Sequence, residues 1–240
     1  MRRSLARSGP AGEAHIERHS AAGARFKEFI LGGQDGLVNV LGVILGIAAA
    51  TSNARLVIIA GLAAAFAESF SMAAVAYTST RAEQDYYQSE RSRETAEIET
   101  MPEAERKEVR DIYEAKGFNG RILDDVVSHI TGDRDTWLNI MMKEELGFSN
   151  LPSAPARSAA VVGLASMIGS LIPLAGFFVL AVKPAIIAGV AISAAALFVT
   201  GAIEGTMTVG HWVKKGLQLA AIGLGAALIG FAVGKVLGSG

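Results

Sequence analysis

FILGGQDGLVNVLGVILGIAAAT, residues 29–51, is long enough to cross a membrane and carries one ionisable side chain, Asp35. A span needs roughly 20 apolar residues at about 1.5 Å rise each. A lone carboxylate in hydrocarbon costs on the order of 3 kcal/mol by insertion scales, so a chain keeps one where it faces a partner, a cavity or an ion. The next apolar stretch carries a second lone acid, Glu68, four residues before Met72. Two acids and a thioether in membrane-length segments point to a cation pathway.

Further along the 240 residues, the apolar side chains again come in blocks. Five blocks have spanning length: Phe29–Thr51, Leu56–Ser79, Ser158–Val182, Pro184–Ile203 and Gly216–Val233. The last three hold no charged side chain. Helices that are apolar all round, without an amphipathic stripe, predict an all-α integral membrane protein with five transmembrane helices. Residues 1–28 are polar, carry Arg2, Arg3, Arg7, Arg18, Arg25 and Lys27, and offer no apolar core for a cleavable signal. The chain has no cysteine, which excludes disulfides and thiolate metal sites. Any metal must be held by oxygen, nitrogen or thioether sulfur.

A net charge of −1 conceals an asymmetry. Residues 82–148 hold 17 Asp/Glu against 9 Lys/Arg, while the remainder is basic. A cationic partner for this acidic stretch follows, and no nucleic-acid partner is expected. Loop Lys/Arg counts set the orientation. Residues 1–28 are expected to form a cytosolic N-terminal segment and 29–80 the first two spans. Residues 81–150 are expected to form a cytosolic helical insert and 151–240 the last three spans, with the C-terminus on the opposite side.

The spans are rich in small residues. Gly32/Gly36 and Gly42/Gly46 on the first, and Gly230/Gly234 on the last, are small-xxx-small steps that suit close helix packing. Gly32, Gly33 and Gly36 could instead loosen the helix beside Asp35 and free carbonyls for an ion. Pro173 is expected to kink the third span. The second span is expected to continue as a helix to Thr100, and Pro102 to start a new one that Gly117 ends. A further helix should run from Asn119 to Ile130. Another, containing TWLNIMMKEEL, should begin at Asp135 or Thr136 and stop at Gly147. Pro152 and Pro155 then form the link back to the membrane.

Glu90, Glu94 and Glu97 are spaced i, i+4, i+7 on one helix face, and Glu105 and Glu108 are i, i+3 on the next. Met141 and Glu145 are i, i+4, with Met142 beside them. Carboxylates from separate helices can hold a divalent cation, and thioethers tilt the preference toward a transition metal. By spacing alone, a solvated charged face and methionines as core filler are the ordinary readings. A diiron-carboxylate enzyme would need Glu-x-x-His steps, and His129 follows Val126 at that spacing. His15 and His19 in HIERH do not form a zinc-protease motif, because Glu17 is one place off. Without a phosphate-binding loop or nucleophile elbow, the chain reads as no enzyme, and transport would be secondary or channel-like.

ILGGQDGLVNVLGVILGIAAA resembles the first-span signature of the vacuolar iron transporter family, LGxxDGLVxxLGLVxGxAAA, and AESFSMAAVAYTSTRAEQD resembles its second span. PEAERKEVRDIYEAKGF and DTWLNIMMKEELG resemble its metal-binding insert. The resemblance implies a five-span homodimer whose ion path lies at the dimer interface, lined by the first two spans. It implies export of Fe2+, often with Mn2+, from the cytosol in exchange for protons. Asp35 matches the first-span acid of the transport site and Met72 the second-span thioether. Glu94, Glu97, Glu105, Glu108, Met141, Met142 and Glu145 match the metal-binding insert, and Glu90 is a neighbour without a counterpart. The second span departs from the pattern, since SMAAVAY stands where SMAAGEY is expected and the family's acid is Ala76. Glu68 is a candidate to replace its function as proton carrier. Glu204 has no place in the pattern.

On this reading the acidic insert collects the metal and passes it to Asp35 and Met72, where metal and proton compete. No permanently bound cofactor is expected; Fe2+, Mn2+ and, as further candidates, Zn2+ or Co2+ are substrates. The host is expected to be bacterial, with the plasma membrane as the site, or a vacuolar membrane in a eukaryote. The alternative is a membrane-anchored metal-storage or metal-sensing protein that does not transport.

Overall fold

The computed structural model describes residues 19–148, 153–207 and 210–238. The N-terminal cluster Arg2, Arg3, Arg7, Arg18, with His15, and Pro152 of the link lie outside the described residues. Among the described residues eight α-helices follow one another: α1 His19–Ala50, α2 Ala54–Thr100, α3 Pro102–Ala115, α4 Gly120–Thr131, α5 Arg134–Ile140, α6 Pro155–Leu174, α7 Val182–Met207 and α8 Trp212–Leu237. Five are long and apolar enough to cross a membrane: α1, α2, α6 with its 3-10 extension, α7 and α8.

α1 is the central post. It packs on α6, α8, α2 and α7, while α2 packs on α6 and α7 on α8. Val40, Leu41 and Ile44 of α1 are fully buried and meet Val57, Ala65, Leu174 and Ala227. In lipid this association depends on close van der Waals fit more than on a hydrophobic drive, so small residues set the helix separations. A Cβ on Gly234 would lie 1.8 Å from the Gly46 carbonyl oxygen, and one on Gly36 2.3 Å from that of Ser166. Gly42/Gly46 of the first span and Gly230/Gly234 of the last are therefore one interface, while Gly32/Gly36 pack on α6. α1 runs unbroken past Asp35, so the glycines there pack the helix and do not open it. Gly234→Ala is expected to cost about 1–3 kcal/mol through forced separation of α8 from α1, read as a lowered melting point in detergent.

α2 is 47 residues long, about 70 Å at 1.5 Å per residue, and its second half leaves the apolar zone as a polar helix. Asn53 caps its start, its side-chain oxygen accepting from the backbone N–H of Arg55 at 3.0 Å. Pro102 opens α3 at the first turn, as expected. α5 begins earlier than expected, at Arg134, because Asp133 accepts the Thr136 N–H at 2.8 Å and fixes the cap. The helix expected to run through MMKEEL changes type: Met141–Glu145 form a π-helical turn, closed by Gly147 at φ +74°. Pro173 sits one residue before the end of α6, and the chain tightens into a 3-10 turn over Ala175–Phe178. The expected kink is thus a change of helix type after Leu174. α3, α4, α5 and the π turn gather on the polar half of α2 around their own small core, with Val109, Leu123, Val127, Trp137 and Met141 inside.

Candidate metal site

Three helical pieces supply the acidic side chains. The i, i+4, i+7 spacing puts Glu90, Glu94 and Glu97 of α2 on one face, α3 adds Glu105 and Glu108, and the π turn adds Glu145. One carboxylate oxygen from each of Glu94, Glu105 and Glu145 lies within 4.8 Å of the others. A π turn packs one more residue into its loop, and such turns often mark functional sites. Here it carries Met141 and Met142 into the apolar core and leaves Glu145 at the open side of the carboxylate trio.

The electrostatics are costly. Glu94 and Glu105 are 1% and 4% exposed, and Oε2 of each is buried without a hydrogen-bond partner. Burial pushes the Glu105 carboxyl up to about 7, with repulsion from Glu108 and Glu94 adding to it. Desolvation comes first for Glu145 too, raising it to about 7, followed by repulsion from Glu94 and Glu108. Burial also raises Glu94, opposed by its bond from Arg93. Buried carboxylate oxygens without a partner, Oε2 of Glu94 and of Glu105, are a standing cost that a divalent cation would relieve. Glu97 and Glu108 stand at the rim and act on the trio through their charge.

These values carry a pH signature. A carboxyl raised above its ordinary value binds more protons in the folded chain than in the unfolded one, so stability falls as pH rises. For Glu105 and Glu145 the window runs from 4.5 to about 7. With chelator present, the polar helices are expected to melt at a lower temperature at pH 8 than at pH 5. Added Mn2+ should restore the loss at pH 8 and do little at pH 5. A flat profile in circular-dichroism melts would contradict the raised values.

Within the membrane helices the structure places Glu68 of α2 beside Asp35 and Asn39 of α1, near enough for the three side chains to interact. Met72 stands one turn further along α2, toward the polar helices. It lines a cavity of about 200 Å³ with Glu28, Ala76, Thr80, Glu83 and Ser158. Glu28 accepts a hydrogen bond from the buried Ser158 hydroxyl across α1 and α6. The place of the missing family acid, Ala76, therefore opens on the Glu28–Glu83 cavity, while Glu68 faces Asp35. Glu204, at the end of α7, pairs with Lys215 of α8 at 3.1 Å.

Sequence reasoning passed over Arg93, Glu28, Glu83 and Asn39. Arg93 carried a signal, lying i+3 from Glu90 and i−4 from Glu97, and it bonds to both. Glu28 and Glu83 sit just outside the apolar blocks, where acids are ordinary. Asn39 is uncharged, and only its position one turn after Asp35 marked it.

A model of the VIT family matches residues 26–235. The chain is 32% identical over 229 residues to vacuolar iron transporter 1 of Tulipa gesneriana, covering 95% of this chain and 93% of that protein. It is 31% identical to vacuolar iron transporter 1 of Arabidopsis thaliana, covering 93% of this chain and 90% of the relative. It is 28% identical to the vacuolar iron transporter of Toxoplasma gondii, covering 93% and 78%.

Proposed function

Because this chain belongs to the VIT family, we propose that it exports Fe2+, and Mn2+ with it, across a membrane in exchange for protons. The observation that carries the reading is the meeting of Asp35 and Glu68 between two apolar spanning helices. Two neighbouring carboxyls can share one proton or together hold one divalent cation. Their alternation between those two loads is the physical basis of exchange. Asn39 adds a neutral ligand oxygen beside them.

The polar helices capture the ion first. Glu94, Glu105 and Glu145 supply carboxylate oxygens, and Glu97 and Glu108 add charge at the rim, while Met141 and Met142 pack in the apolar core beneath. Two carboxyls that titrate near 7 release protons as the metal binds. From there the ion passes the cavity shared by Glu83, Glu28 and Met72 before reaching Asp35. The N-terminal segment and residues 81–150 face the cytosol, and the host is the plasma membrane of a bacterium or, in a eukaryote, a vacuolar membrane. Two copies form a dimer with the path between them. The strongly exposed Phe66 and Phe70, which flank Glu68 on α2, suit an apolar environment such as a second copy or lipid.

The test is uptake of Fe2+ and Mn2+ into proteoliposomes with a trapped pH dye. Metal movement coupled to opposed proton movement is the expected result. Metal bound by the purified protein without flux under any pH gradient would replace this reading with storage or sensing.

A further inference from the structure

Arg93 holds a position that the carboxylate cluster alone does not explain. Its guanidinium lies 2.9 Å from Glu90 through Nη1, 3.3 Å from Glu94 through Nη2 and 3.5 Å from Glu97 through Nε. Glu94 is thereby divided: Oε1 accepts from Arg93, and buried Oε2 has no partner. Of the three carboxylates on Arg93, Glu94 is a proposed metal ligand and Glu97 adds charge at the rim of the same site. A divalent ion on Glu94, with Glu97 at the rim, would stand beside a permanent positive charge, and like charges at that range repel strongly where water is partly excluded.

We propose that Arg93 is a tethered cation that competes with the divalent metal for Glu94 and Glu97, and that it swings onto Glu90 when metal binds. The geometry supplies what such a swing needs. The Arg93 side chain is half exposed, so it can move without disturbing the apolar core. Glu90 makes the shortest of the three contacts, and it stands outside the trio formed by Glu94, Glu105 and Glu145. It is therefore a resting partner that remains available after the other two are surrendered. The competition lowers metal affinity by design, which suits a site that must hand its ion onward. A single positive charge also discourages monovalent ions from the cluster while yielding to a doubly charged one.

This rests on the reading of Glu94, Glu105 and Glu145 as a metal site, and the experiment separates the two. Full-length protein in detergent is titrated with Mn2+, and the free ion is followed by its paramagnetic resonance signal. Arg93→Gln is expected to bind Mn2+ about tenfold more tightly than the parent chain. Arg93→Lys should fall between the two, because an ammonium cannot bridge several carboxylates at once. A merely structural arginine would give the opposite sign, since its loss would disorder the cluster and weaken binding. Equal or weaker binding in folded Arg93→Gln overturns the proposal. Should that variant not fold, Arg93→Lys decides by the same criterion. With Asp35→Asn and Glu68→Gln added to silence the membrane acids, binding that survives in a Glu94→Gln/Glu105→Gln double variant, or that is absent from the protein with Glu94 and Glu105 intact, overturns the metal-site reading itself and the proposal with it.

Discussion

Asp35→Asn is expected to reduce Fe2+ and Mn2+ flux in proteoliposomes by on the order of 100-fold, the equivalent of about 3 kcal/mol. Asparagine keeps the shape and removes the charge. Asp35 is only partly buried, on the side of α1 that meets Glu68, and its neighbours Gly32, Gly36 and Leu37 hold the helix in place. The variant should therefore fold, and Mn2+ binding at the polar helices should be unchanged. Glu68→Gln is expected to weaken proton coupling more than metal uptake, because Asp35 remains as a ligand. The decisive comparison is with Glu94→Gln/Glu105→Gln, which should slow capture at low metal concentration and recover at high concentration. Equal loss of flux in the membrane and cluster variants at saturating metal would end the proposed division between capture and passage.

Glu105→Gln should produce two effects of opposite sign. Metal affinity is expected to fall on the order of 100-fold, since the trio loses one of its two buried carboxylates. Stability in chelator at pH 8 should rise. Ionised Glu105 is buried, leaves Oε2 without a partner and faces Glu94, Glu97, Glu108 and Glu145. A neutral amide avoids that repulsion. Each kcal/mol regained is worth about 2–4 °C in the melting point of a chain this size, and the fall in stability between pH 5 and pH 8 should become shallower. Loss of both metal binding and stability would mean that Glu105 holds the helices together, and that its burial is no strain relieved by a cation.

The five spans were legible because hydrophobicity and length are properties of a contiguous segment, and the block boundaries fall within or near the ends of α1, α2, α6, α7 and α8. The long continuation of α2 was legible for a similar reason, since no Gly or Pro interrupts residues 62–100. The π turn at Met141–Glu145 was not, because MMKEE has ordinary helix-forming residues and the wider turn follows from packing against α2 and α3. The start of α5 was misplaced by one or two residues, because Asp133 reads as part of a loop until its side chain is seen to cap Thr136.

Residue order by itself determined that this chain is a membrane protein of five spanning helices with lone acids in two spans and an acidic polar stretch between the second and third. Those follow from composition along the chain, where each residue contributes to transfer into lipid nearly independently of its partners. Only the tertiary structure decided which acids meet. Glu94, Glu105 and Glu145 converge while Glu97 and Glu108 stay at the rim, Glu68 turns to Asp35, and Arg93 reaches into the cluster. The reason is geometric. Proximity across helices depends on their separation and register, and these are set by backbone contacts such as Gly36 on Ser166 and Gly234 on Gly46, between residues roughly 130 and 190 positions apart in the chain.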